Sequence, residues 1–335
     1  MKIIKYNKLK YIYPVVLVVL LSISLFIVLY KTTDNDEEKL RELINKMDNQ
    51  VKPSEPVTIY APATPSSIPI IIASQHLSDT EVKIFIDHNQ AHALFLRGDV
   101  QILCTGLSVG VSFYDQGEDI QILNSYVQGL SYLLSYGKEI ESFGQLKGEK
   151  VYVPFKGAPL EQITKYFVEQ EGLEWEKDVT PIYTIPTITT ELFKKGDHII
   201  APLPEPLVSI LKNDPNIHLS LDYKKQWEKY TDNTEGYPQI GTFVKTDWIH
   251  DNKEYIYKFD KEIIKAIELI KDNPTKAIEL SKDSFEFSDK ILMSALENTF
   301  FKNVISYDLQ KQITDYYETI SQPLDKKFEN FFFIY

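Results

Sequence analysis

The sequence predicts an α/β protein built on largely parallel sheets, and three features say so. From Val57 onward, short β-branched runs alternate with stretches suited to helices. Several of these runs pass straight into helix starts through turns made of Gly, Pro and hydroxyl residues. The composition is that of an ordinary globular chain, with 335 residues, 43% apolar and 25% charged, which excludes both disorder and a multi-span membrane protein.

The strands are expected at Val57–Ala61, Val82–Asp87, Gln101–Thr105, Asp119–Ser125, Lys150–Pro154, Thr180–Thr184, Ile199–Pro202 and Ile240–Lys245. Helices are expected between them at Ser67–Ser74, Gln90–Arg97, Leu107–Tyr114, Leu160–Glu171, Thr187–Lys194 and Pro206–Asn213. From Lys253 the chain reads as helical throughout. Ile263, Ile264, Ile267, Leu269 and Ile270 are read as one apolar face there, and further helices cover Thr275–Lys282, Ser288–Asn298 and Leu309–Ile320.

Ahead of this body, residues 11–30 run without a charge. Twenty residues of helix span ~30 Å, the thickness of a hydrocarbon core. Lys2, Lys5, Lys8 and Lys10 precede the run, while Asp34, Asp36, Glu37 and Glu38 follow it. That bias keeps residues 1–10 cytoplasmic and sends the body outward. The run ends Phe-Ile-Val-Leu-Tyr-Lys, without the small-residue site of a cleaved signal, so the reading is an uncleaved transmembrane anchor, with a cleaved signal as its rival. Residues 31–55 form a stalk that Pro53 and Pro56 end.

A net charge of −12 without a basic cluster beyond the first ten residues excludes nucleic acid as a partner. Cys104 is the only cysteine, so there is no intramolecular disulfide and no cysteine-rich metal site; its apolar surroundings predict a buried structural thiol. His88 and His92 are four apart, yet the turn at Asp87–Gln90 puts only His92 firmly on a helix, and packing or capping is the expected role. No GxSxG, P-loop or GxGxxG occurs, which leaves acyl transfer, NTP hydrolysis and dinucleotide redox without their usual devices. No catalytic residue, metal or cofactor is expected.

The informative segments are strand ends that become helix starts: Tyr60–Ser67, Thr105–Ser108, Phe155–Leu160 and Pro202–Pro206. In open parallel sheets, ligands gather beyond the carboxyl ends of the strands, where helix N-termini offer free N–H groups. With Tyr60, Phe113, Phe155 and Tyr126 nearby, these turns outline a small-molecule cleft.

Four segments resemble a known family. Phe95-Leu-Arg-Gly-Asp-Val-Gln-Ile-Leu103, Leu146-Lys-Gly-Glu-Lys-Val-Tyr-Val-Pro154, Gly172-Leu173 with Asp178-Val179, and Leu192–Pro206 (LFKKGDHIIAPLPEP) are similar, in order and spacing, to motifs of ABC-importer substrate-binding proteins of the nitrate/sulfonate/taurine/thiamine-precursor group. The resemblance covers roughly residues 57–250. The family usually carries a cleaved signal or a lipid-bearing cysteine, and this chain has neither.

The resemblance implies a bilobed type II periplasmic-binding fold. One lobe would comprise residues 56–137 with 238–335 and the other residues 138–237, with crossings near Leu134–Lys138 and within about Leu221–Pro238. It implies a monomeric extracytoplasmic binder that captures a small polar organic ligand and hands it to a permease and its ATPase. The cleft would use Thr64, Ser66, Ser67, Thr105, Gly106 and Gly157 as donors, Tyr60 and Phe155 as stacking rings, and Glu205 as an acceptor. A membrane-anchored sensor and a small-carboxylate lyase on the same fold are the alternatives, the lyase resting on Glu205.

Overall fold

The computed structural model of the protein describes residues 51–154 and 156–335. The expected span at 11–30, the segment 1–10, nearly all of the stalk and Phe155 lie outside the described residues. Among the described residues, no helix is long and apolar enough to cross a membrane.

Two sheets carry the fold. The first contains β1 (Val57–Pro62), β2 (Thr80–Phe85), β3 (Ile102–Gly106), β4 (Ile120–Val127), β10 (Ile240–Lys245) and β11 (Phe301–Ile305), in the order β11-β4-β10-β3-β1-β2. The second contains β5 (Ser131–Tyr136), β6 (Lys150–Val153), β7 (Thr180–Tyr183), β8 (Ile200–Pro204) and β9 (Ile217–Asp222), in the order β7-β6-β8-β5-β9. Strands β1, β2 and β3 are mutually parallel, as are β6, β7 and β8. Each sheet also holds one antiparallel strand that follows a crossing: β10 lies between β3 and β4, and β5 lies between β8 and β9.

The two crossings run side by side. Tyr237 N–H donates to Gln128 O at 3.0 Å, and Gln239 N–H donates to Val127 O at 2.9 Å. The Gln239 side chain adds bonds to Leu130 N–H and the Ser131 hydroxyl, at 2.7 and 2.9 Å. The first crossing is therefore Gln128–Leu130, several residues before the expected Leu134–Lys138. Ser131–Tyr136 is a strand buried at five of its six residues. Buried on both faces, it lacks the polar alternation by which a strand shows in sequence.

The helices are α1 (Ile68–Ser74), α2 (His88–Arg97), α3 (Leu107–Asp115), α4 (Pro159–Gln170), α5 (Pro186–Lys195), α6 (Leu207–Leu211), α7 (Tyr223–Thr231), α8 (Thr246–Asp272), α9 (Pro274–Ser281), α10 (Asp289–Glu297) and α11 (Ser306–Thr319). The region from Lys253 is not helical throughout. β11 interrupts it and pairs with β4, and the chain's end adds a further bridge from Phe332 to Ile122. Helix α8 begins earlier than expected, at Thr246, and departs from helical geometry at Asn252. The Asn252 amide there bonds Trp248 O and the Ser54 hydroxyl.

Local chemistry sets the helix ends that matter for the site. Gly110 lets α3 lie flat on β10, since a Cβ there would come within 2.0 Å of the Phe243 ring. Pro159 opens α4 at a position where a missing N–H costs nothing. Cys104 is fully buried in the first sheet, and burial pushes its thiol up.

Candidate functional site

Thr105 and Gly106 end β3 and lead directly into α3. Gly106 is the extended N-cap residue (φ −60°, ψ 140°) and offers no side chain to the helix. Leu107 N–H donates to Gln239 O at 2.9 Å, which ties the start of α3 to the second crossing. Thr105 is buried, with its hydroxyl 3.3 Å from His92 Nε2. Desolvation lowers His88 from its ordinary value and pushes His92 down to about 4, so the His92 imidazole is neutral at pH 7. Rings extend outward from there: Tyr60 stacks on Phe85 at 6.3 Å, Phe85 meets His88 at 5.0 Å, and His92 meets Phe113 at 5.3 Å.

In the second lobe, Gly157 turns the chain into α4 with φ +80°, a left-handed conformation that suits glycine. Glu161, in the first turn of α4, accepts Gly157 N–H at 3.2 Å and the Trp175 indole N–H at 2.9 Å. It fixes the turn from behind, in the manner of a capping box.

The hydroxyl turn after β1 is internally engaged. Thr64 and Ser66 hydroxyls lie 2.7 Å apart, and Ser67 donates to Pro62 O at 2.6 Å. Ser66 and Ser67 are buried, and the turn packs against α10. Glu205 is 2% exposed. Its carboxylate accepts Ser209 N–H (3.1 Å), the Ser209 hydroxyl (3.0 Å) and the Asn298 amide (2.6 Å). Burial raises its pKa above the ordinary glutamate value, against these donors. Sequence reasoning assigned this carboxylate to a ligand, whereas its described partners are protein groups.

The structure brings two of the expected turns to one place. A small cavity of ≈ 10 Å³, room for about one water, touches Leu107 and Ser108 at the start of α3, Pro159 at the start of α4, Gln239 of the second crossing, and Tyr316 and Tyr317 of α11. Elements of both lobes thus meet beside the hinge. Thr105, Gly106 and Gly157 are neighbours of its lining in sequence and do not line it themselves, and neither do Tyr60, Thr64, Ser66, Ser67 and Glu205. Ser108 was reached by sequence reasoning only as the end of the Thr105–Ser108 turn, and Gln239, Tyr316 and Tyr317 were missed, the tyrosines because they sit in what reads as a plain helix. A larger cavity of ≈ 500 Å³ lies near Gln101, Asp119 and Lys245 and beside the first turns of α8, away from the starts of α3 and α4. Among the described residues, no cluster of His, Cys, Asp and Glu is arranged to hold a metal ion.

No protein-family model matches the sequence, and no curated protein matches it. Solved structures do. The chain is similar to an ABC transporter protein from Parabacteroides distasonis, with 17% identity and a TM-score of 0.66 over 82% of this chain and 94% of that one. It is similar to the periplasmic aliphatic sulphonate binding protein SsuA from Escherichia coli, with 17% identity and a TM-score of 0.67 over 83% and 91% of the two chains. The periplasmic nitrate-binding protein NrtA from Synechocystis matches with 14% identity and a TM-score of 0.60 over 77% and 75%. At these identities the likeness speaks to architecture, and it agrees with the two sheets and paired crossings: the chain has the two-lobed α/β fold of the periplasmic binding proteins.

Proposed function

We propose that the chain is the extracytoplasmic solute-binding component of an ABC importer, holding a small polar organic ligand between its lobes and presenting it to a permease and its ATPase. One observation carries this reading. The starts of α3 and α4, one from each lobe, meet at a single cavity beside the two hydrogen-bonded crossings. Paired crossings of this kind form a hinge, and hinge opening would widen that cavity to admit a solute. Transporter binding proteins among the structural neighbours support the reading. The engagement of Glu205 by Ser209 and Asn298 favours binding over the lyase alternative.

The ligand is expected to present an acceptor to the helix starts and a flat body to the nearby rings, as a heterocycle or an amino-sulfonate does. The cleft set from sequence is narrowed on this reading to Thr105, Gly106 and Gly157, with Ser108 and Gln239 added. Thr64, Ser66 and Ser67 become supports of its edge. Residues 11–30 serve as the anchor of a monomeric body. Intact-mass measurement should find a membrane-bound chain that retains its N-terminus, and a soluble chain beginning near residue 32 would count against the anchor.

The central test is a thermal-shift screen of the full chain against sulfonates, nitrate, pyrimidines and amino acids. A true ligand at 100 times its Kd should add about 2.7 kcal/mol of stability. Gly106→Leu places bulk at the start of α3, where even a Cβ approaches Gln239 O to 3.9 Å, and should abolish the shift. Failure of every solute class, together with no permease co-purifying, would overturn the reading.

A further inference from the structure

Among the described residues, no Asp, Glu, Lys, Arg or His lines the small cavity beside the hinge. Its polar side chains are Ser108, Tyr237, Gln239, Tyr316 and Tyr317, and the rest of its wall is leucine and proline. Burial pushes the three phenols up, so each is neutral at pH 7. The Gln239 amide is committed to the crossings, where Oε1 accepts from Leu130 N–H and Nε2 donates to the Ser131 hydroxyl. Tyr237 stacks on Tyr316 at 6.0 Å and 11°, and Tyr317 meets Tyr316 edge-on at 5.3 Å. The lining is rings and hydroxyls without a charge.

Carboxylates stand in the elements that carry this lining. Glu161 lies two residues beyond Pro159, is 5% exposed, and accepts Gly157 N–H at 3.2 Å. Glu205 donates its own N–H to Leu130 O at 2.9 Å, beside the Gln239 amide. Asp222 bears on the Tyr237 phenol and helps to raise it. The cations of the same region have other partners. Lys156 pairs with Glu176 at 2.8 Å, Lys224 lies over the Phe300 ring at 4.4 Å, and Lys212 bears on Glu205. Burial raises Tyr316, and burial with the neighbouring Tyr316 raises Tyr317; no cation acts on either.

Two helix starts meet here, yet they do not replace a counterion. A helix start carries roughly half a positive charge, and at α4 the Glu161 carboxylate already lies in that first turn. An anion in the closed cavity would exchange water for rings and hydroxyls with no cation to pair with, and a buried unpaired charge is costly. An uncharged solute avoids that cost. Its acceptor can take the N–H groups of the first turn of α3 or a hydroxyl, while an apolar face lies on the tyrosines. We infer, taking this cavity as the solute site, that it selects uncharged solutes with a ring or other apolar face and turns away nitrate, carboxylates and sulfonates. Of the heterocycle and the amino-sulfonate named for the cleft, the amino-sulfonate is then dropped.

Thiol reactivity tests this without a bound solute. Cys104 is fully buried, so Ser108→Cys gives the full chain one reachable thiol, at a half-buried position on the cavity. Two methanethiosulfonate reagents of similar size are compared, one ending in a sulfonate and one in a trimethylammonium. Each rate is divided by that for free cysteine. The anionic reagent should be slowed at least about tenfold more than the cationic one, as in a cleft with a field of one sign. Glu161→Gln, which keeps an acceptor for Gly157 N–H, should narrow that gap at least about threefold. Equal slowing of the two reagents, faster reaction of the anionic one, or a gap unchanged by Glu161→Gln would overturn the charge preference. In the thermal-shift screen, nitrate or methanesulfonate giving a shift that Gly106→Leu removes would overturn it as well. If no solute shifts the melting, the solute-site reading fails, and the thiol rates still decide the charge preference.

Discussion

The Asn298 side-chain amide donates to the Glu205 carboxylate at 2.6 Å, which joins the end of α10 in the first lobe to the turn before α6 in the second. The Ser294 and Ser209 hydroxyls meet beside it at 2.5 Å. Helix α10 also packs on the turn Pro65–Ser67, so it works as a strut between the edge of one lobe and the other. Asn298→Ala leaves a buried carboxylate short of a donor and should cost about 1.5–3 kcal/mol. Urea unfolding measures this, and an unchanged midpoint would remove the strut.

Asp260 supplies a pH dependence. It is 1% exposed, accepts from Asn124 at 2.5 Å and Asn303 at 3.3 Å, and is also bonded by the Tyr335 hydroxyl. Burial pushes its carboxyl up to about 6. Between about pH 4 and pH 6 the folded chain therefore holds a proton that the unfolded chain releases. The group's contribution to stability is full below about pH 4 and is lost as pH climbs to 6, a change of roughly 3 kcal/mol. In Asp260→Asn that slope should vanish, because asparagine does not titrate, and the unpartnered Asn124 Oδ1 and Asn303 Oδ1 can turn to accept the new amide and keep the site folded. Superimposable pH profiles of the two proteins would contradict this assignment.

Two glycines with similar backbones should respond differently to alanine. Gly236 (φ +77°) sits in the second crossing, where a Cβ would come within 2.1 Å of Gln128 O. Gly157 (φ +80°) has nothing within 4 Å. Both substitutions carry the left-handed penalty of about 1 kcal/mol, and Gly236→Ala should add a backbone clash worth about 2 kcal/mol or more. Thermal unfolding of the pair isolates the clash, and equal losses would show that the crossings are not pressed together there.

Glu161 is expected to hold the Gly157 turn. Glu161→Ala removes the acceptor of Gly157 N–H and of the Trp175 indole, at a cost of about 1–2 kcal/mol. Trp175 emission should shift to the red as its N–H turns to water. Unaltered emission in a folded variant would argue that other groups fix the turn.

Much of the first lobe was legible. Val57–Pro62 and Ile102–Gly106 are compact apolar strands, and the Thr-Gly pair before Leu107 marks a strand end feeding a helix. The strands that escaped did so for physical reasons. β5 is buried on both faces, so no polar alternation marks it, and β11 lies among helices in a tail that reads as helical. The turns at Thr105-Gly106 and Gly157 were legible as turns, because turn chemistry is local. Tyr237 and Tyr316 were not, since a stacked pair drawn from a crossing and a distant helix exists only after folding. Glu205 shows the converse: sequence read this carboxylate in a Pro-flanked turn as a ligand acceptor, and its burial and its bonds to Ser209 and Asn298 appear only in the fold.

The placement of β10 has a consequence for biosynthesis. All strands of the second sheet lie within one unbroken run, residues 131–222, whereas β3 and β4 of the first sheet are joined only through Ile240–Lys245. A growing chain can therefore close its second sheet first, while the apolar flanks of β3 and β4 wait unpaired for a strand made more than a hundred residues later. Phe332, made later still, then pairs at Ile122 on β4. During that interval the nascent chain presents open strand edges, so a holding chaperone should bind it until the ribosome has passed β10 and should release it afterwards.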